Sequence, residues 1–151
     1  EERSMIENER QYQVTKYWST EFEKTLSELR TQPCPAKVPH KIHTAMIESI
    51  ESQLSDLRQE ITEYEALKAR QVQELELKSL SELPDLFIKA RLARGYTQTD
   101  LAKKLNLELQ QLQRYETTRY QSVSFKHLLE IAHALGVDLH ETVKLEPSSR
   151  G

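Results

Sequence analysis

Between residues 47 and 64 the side chains Ile47, Ile50, Leu54, Leu57, Ile61 and Tyr64 fall at spacings of 3, 4, 3, 4 and 3. That is the a/d repeat of a helix burying one narrow stripe. Glu48, Glu51, Asp56, Arg58, Glu60 and Glu63 lie between them and suit a wet face. The pattern predicts a helix over about residues 40–70, roughly 45 Å long at ~1.5 Å per residue. Each stripe residue is worth ~1.5–3 kcal/mol when buried, so the stripe demands a partner surface. Upstream, Val14, Trp18, Phe22, Leu26 and Leu29 recur every three or four residues with Tyr17 alongside. They predict a second helix over about 8–30 with one broad apolar stripe. Thr31–Pro39 holds Pro33, Pro35 and Pro39 without apolar period and reads as the loop between the helices. The expectation for residues 5–70 is a helical hairpin within the chain that also pairs between chains as a coiled coil. The six stripe residues from Ile47 to Tyr64 are then dimerisation residues.

Three glycines in 151 residues argue against Gly-rich phosphate loops, tight β-hairpins and nucleotide-binding turns. A charged fraction of 30% and a mean hydropathy of −0.69 fit a helical protein with much exposed side-chain surface. No run approaches the ~18 apolar residues of a membrane span. Acids rather than a basic stretch open the chain, which predicts no secretory leader. Met5 reads as a native start, so Glu1–Ser4 are left out of the fold reading. The single Cys34 cannot form an internal disulfide and points to a reducing, cytoplasmic setting. The net charge of −3 divides unevenly: residues 1–82 carry 11 Lys/Arg against 16 Asp/Glu, and residues 83–151 carry 10 against 8. A mildly basic C-terminal half on an acidic N-terminal half suggests two jobs, one of them facing an anion.

Residues 71–82 lose the helical period and read as a linker. From Leu83 the punctuation is dense. Pro84 suits a first helical turn, and Gly95 can take the left-handed cap that ends a helix over Pro84–Arg94. Thr97 with Asp100 is a variant capping box opening Gln98–Leu105. Asn106 tolerates positive φ in the turn before a helix over Leu109–Glu116. Ser124 caps Phe125–Leu135, with Phe125, Leu128, Leu129, Ala132 and Leu135 expected inward and Gly136 as the stop. Asp138 with Glu141 predicts a short fifth helix carrying Leu139, Val143 and Leu145. The fold class is therefore all-α: a helical hairpin followed by a five-helix bundle over 83–145.

The second and third of those helices, joined by a short turn over the small Ala102, can present Leu109–Glu116 to a major groove about 12 Å wide. Gln110, Gln111, Gln113 and Arg114 are then free to face outward, and glutamine pairs with adenine and arginine with guanine. The run GYTQTDLAKKLNLELQQLQRYE, followed by SFKHLLEIAHALGVDLHE, resembles the Xre-type (Cro/cI phage-repressor) helix-turn-helix family. The matching residues include Gly95, Thr97–Gln98, Leu101–Ala102, Leu105, Leu112, Arg114, Glu116 and Ile131–Ala132. The resemblance implies a lambda-repressor-like bundle that binds double-stranded DNA, with no cofactor. It implies a positioning role for Gln98, base-reading positions at Leu109, Gln110, Gln113 and Arg114, and backbone tracking by Thr117, Thr118, Arg119 and Gln121. It also implies a partly buried ion pair between Arg91 and Glu116. Two departures stand out: Asn106 replaces the usual turn glycine, and Glu108 replaces a serine or threonine.

Cys34, His40 and His43 have a zinc-like spacing but lack a fourth ligand. No Ser/His/Asp or Cys/His set has a supporting strand–turn context, which argues against an enzyme. The expected activity is sequence-specific regulation of transcription, repression being usual in the family, by a homodimer on an inverted repeat. The competing expectation is an antitoxin whose acidic N-terminal region, with Tyr12, Tyr17, Trp18 and Phe22, also binds a toxin protein.

Overall fold

The computed structural model describes residues 5–147, so Glu1–Ser4 and the last four residues lie outside the described residues. Six α-helices and one 3-10 turn follow in order: α1 (Glu9–Thr31), α2 (His40–Lys68), the 3-10 turn (Leu80–Glu82), α3 (Leu83–Ala93), α4 (Gln98–Lys104), α5 (Leu109–Thr117) and α6 (Phe125–Leu135). The chain is all-helical, and no strand occurs among the described residues.

Asn8 starts α1, its side-chain oxygen accepting the Gln11 N–H at 2.9 Å. After the proline loop α2 runs back along α1. The two are stapled by the stacked rings of Tyr12 and Tyr64, 4.8 Å between centroids, and by the rim pairs Arg58–Glu23 and Arg30–Glu51. The heptad stripe faces α1: Leu54 and Tyr64 are buried, and Ile47, Ile50, Leu57 and Ile61 are half-buried. Within one chain the stripe therefore packs on α1, the intrachain half of what its spacing predicts. On α1 the face that meets it is Tyr12, Thr15, Ser19, Phe22, Leu26 and Leu29, again at heptad spacing. The expected stripe was rotated from this one, for Val14, Tyr17 and Trp18 point outward. Leu26 is the buried residue of this face, and the small Thr15 and Ser19 fall in line with it. Thr15 also satisfies its own hydroxyl on the Gln11 carbonyl at 2.8 Å.

A single apolar core joins the roots of this hairpin to the C-terminal bundle. Ile6, Tyr64 and Leu67 pack in one cluster with Leu86, Phe87, Ile88, Leu101, Leu112, Ile131 and Leu135. Val72, Leu75 and Leu77 pack against it from the irregular segment that follows α2. Gly95 and Gly136 end α3 and α6 at φ of +74° and +66°.

Two expectations for the bundle fail. It has four α-helices, because residues 137–147 form no regular structure and the fifth helix is absent. Asp138, expected to cap that helix, pairs instead with His140 at 2.9 Å. Leu139, Val143 and Leu145 remain exposed with no surface to bury them. In α6, Ile131 and Leu135 are the buried pair and fix the helix phase. That turns Phe125 and Leu129, expected inward, out to 74% and 55% exposure.

Candidate nucleic-acid interface

The capping box at Thr97 and Asp100 forms in both directions: the Asp100 N–H donates to Thr97 Oγ1 at 3.1 Å, and the Thr97 N–H to Asp100 Oδ2 at 2.9 Å. The Thr97 main-chain N–H, and after it the Thr97 hydroxyl, hold the Asp100 carboxyl below its ordinary range. Leu101 and Ala102 are buried beneath α4, and Leu112 is buried on the facing side of α5. Between the helices Asn106 takes φ +55°, and the Leu107 N–H closes the turn on the Ala102 carbonyl at 2.9 Å. Glu108 precedes α5 and makes no side-chain cap, unlike Thr97 or Ser124.

Along α5 the inner face is Leu112 and Glu116, and Tyr115 is half-buried. Leu109, Gln110, Gln111, Gln113 and Arg114 are exposed in the whole chain, so the N-terminal hairpin does not cover them. Among the described residues Gln110 and Arg114 make no side-chain hydrogen bond, leaving their polar ends free. Gln111 Nε2 donates to the Tyr115 hydroxyl at 3.0 Å. Gln113 Nε2 reaches Gln98 Oε1 at 3.4 Å, and Gln98 Nε2 donates to Glu116 Oε1 at 2.8 Å. Gln98 is therefore locked to the end of α5. Arg91 completes the network from α3, pairing with the buried Glu116.

The loop after α5 behaves differently from the helix. Thr117 and Gln121 are exposed, and Thr118 Oγ1 turns back to the Arg114 carbonyl at 2.8 Å. Arg119 pairs with Glu7, and its Nη1 lies 3.6 Å from Asp85 Oδ1. Arg119 and Tyr120 both take positive φ, +53° and +58°. The Tyr120 ring anchors this strained pair, buried edge-on to Phe87 at 5.5 Å. Burial and the nearby Glu116 push its phenol well above the ordinary value. The residues missed from sequence are Ile6 and Glu7, which dock on the bundle ahead of α1. One apolar residue before an N-cap carries no period, so spacing offered no sign of where it would dock.

Elsewhere, among the described residues, no group of three or more His, Cys, Asp or Glu is placed to hold a metal ion. Cys34 Sγ donates to the Val38 carbonyl at 3.3 Å. No described helix is long and apolar enough to cross a membrane.

Two short helices crossing over a buried alanine, the second with its outer face bare and polar, define a helix-turn-helix domain. Residues 87–141 match the helix-turn-helix family, of the Cro/cI, Xre-like type. No curated protein and no solved structure matches the chain.

Proposed function

We propose that the protein is a sequence-specific regulator of transcription that represses by occupying an inverted-repeat operator as a homodimer. The observation that carries the reading is the outer face of α5. Gln110 and Arg114 are exposed and unpartnered, on a helix whose inner face is sealed by Leu112 and Glu116. Bidentate contacts from such side chains, Gln to adenine and Arg to guanine, are each worth ~1–3 kcal/mol of discrimination. Gln111 and Gln113 flank them, Leu109 can meet a thymine methyl, and Gln98 buttresses the helix. Thr117, Thr118 and Gln121 lie where the backbone passes.

Cations near this face are few: Lys103, Lys104 and Arg114, with Arg119 already paired. Binding by one subunit is therefore modest in strength and in salt dependence, and two copies are needed for a firm grip. The stripe from Ile47 to Tyr64 packs on α1 within one chain with four of its residues half-buried, and further support for self-association comes from the outward Phe125 and Leu129, one turn apart on α6. Half-sites about one helical turn apart, or a multiple, follow from two-fold symmetry.

Selection of sites from random duplexes tests the reading. Gln110→Ala and Arg114→Ala should each lose preference at one or two base positions while the remaining positions keep theirs. Uniform weakening at all positions, or unchanged preferences, removes these residues from base reading.

A second reading is supported by the α1 face. Tyr17 and Trp18 are 58% and 48% exposed, in edge contact at 5.3 Å, with Val14 beside them. Exposed aromatics of this kind favour a protein partner, and an antitoxin that holds its toxin by this arm and represses its own operon fits. Capture of a small basic protein at equal stoichiometry, lost in Trp18→Ser, supports this reading; its absence leaves the plain regulator.

A further inference from the structure

The strap of residues 5–8 reaches from the hairpin onto the DNA-binding domain and ends beside the loop that follows α5. Ile6 is 4% exposed in the core, and the Glu7 carbonyl accepts Arg91 Nη2 at 2.9 Å. With its main chain so fixed, Glu7 turns its carboxylate to Arg119, two residues beyond the end of α5. The Glu7 side chain is 15% exposed and that of Arg119 41%. The other amine of Arg119, Nη1, is buried, lacks a hydrogen-bond partner and stands 3.6 Å from Asp85. An acidic pair thus holds a half-exposed cation whose donors are incompletely filled. A polar run from Glu7 through Arg91, Glu116 and Gln98 ends at Gln113 on the outer face of α5.

We infer that Glu7 and the DNA backbone compete for Arg119, so the N-terminal strap is an electrostatic brake on DNA binding. The inference rests on the DNA-binding reading above. A phosphate oxygen is a charged acceptor equivalent to the Glu7 carboxylate, so an Arg119 side chain released by Glu7 can be taken up by it. While Glu7 keeps Arg119, the cation neutralises no phosphate and releases no counterion. Whatever draws the strap away from the bundle hands that charge to the duplex.

Glu7→Gln tests this in the full chain, because it removes the charge and leaves the main-chain bond to Arg91 in place. Binding to the selected duplex should tighten roughly three- to fivefold at low salt, the worth of one partly exposed ion pair. The slope of log K against log salt should steepen by about 0.9, one added phosphate contact. Glu7→Gln with Arg119→Gln should return affinity and slope to the wild-type values, and a double variant that keeps the tighter binding and steeper slope overturns the brake, because the gain then does not pass through Arg119. Unchanged or weaker binding by Glu7→Gln with an unaltered slope overturns the brake, including where the variant melts lower, since that marks a purely structural role. Failure of the wild-type chain to bind any selected duplex overturns the DNA reading itself and the brake with it.

Discussion

Both carboxylate oxygens of Glu116 grip one guanidinium: Arg91 Nε lies 2.8 Å from Oε2, and Arg91 Nη2 lies 3.1 Å from Oε1. The two side chains are 3% and 2% exposed. Withdrawing two charges from water costs several kcal/mol per ion, which is repaid only when the remaining donors and acceptors are also filled. Here they are. Gln98 gives Glu116 a third donor, and Arg91 reaches the carbonyls of Tyr96 and Glu7. The arrangement binds α3, the start of α4 and the end of α5 into one piece, which fixes the angle at which α5 is presented.

Replacing one partner strands the other. Glu116→Gln should lower stability by about 3–5 kcal/mol, because Arg91 stays charged in a site without an anion. Thermal or urea denaturation measures it, and an unchanged melting temperature refutes the energetic role given to the pair.

Gly95→Ala should cost about 1–2 kcal/mol from the left-handed backbone alone. A Cβ there would also stand 2.6 Å from Arg70 Nη2, a flexible tip that must move. The loss should therefore be smaller when Gly95→Ala is made in an Arg70→Ala background. Equal losses in the two backgrounds show that Arg70 yields freely and that φ alone matters.

Alkaline pH should loosen the hairpin root. Burial and the neighbouring Glu9 carboxylate push the Tyr64 phenol up to about 12 from its ordinary 10.0. A raised folded-state value means the neutral phenol is favoured by folding. Its contribution is whole below pH 10.0 and is lost as pH climbs through about 12. Ultraviolet titration of the folded protein should show the Tyr64 and Tyr120 phenols ionising above the ordinary tyrosine value. Loss of the late-ionising component in Tyr64→Phe identifies it, and a titration unchanged by that substitution contradicts this.

Leu54→Ala should destabilise by about 2–5 kcal/mol and leave the mass in solution unchanged, because Leu54 packs within one chain. Phe125→Ser with Leu129→Ser should do the reverse: nearly the same melting temperature, but separated subunits by light scattering. Dissociation by Leu54→Ala without unfolding would move the subunit contact to the hairpin.

The parts of this fold legible in the sequence are those that local chemistry decides. Thr97 with Asp100, Gly95, Asn106, Ser124 and Gly136 mark helix ends through hydrogen bonds and φ within a few residues, and each marks one here. The α2 stripe was equally legible because its heptads admit one phase. Val14, Trp18, Phe125 and Leu129 were misplaced because an apolar residue on a marginal helix face is buried only if something lies opposite, and that is a tertiary fact. The same limit applies at the outer face of α5. Side-chain types on α5 could be named from the chain alone, whereas the attachment of Arg119 to Glu7 joins residues 112 positions apart. No period predicts such a contact.

Ile6 enters the common core from the first root of the hairpin and Leu67 from the second. An arm fastened at one root can swivel; fastened at both, it behaves as a truss. A load at the proline tip then passes into the core that also holds Leu112 of α5. Grafting the C-terminal bundle onto another protein without those two anchors would transplant it with an unfilled socket.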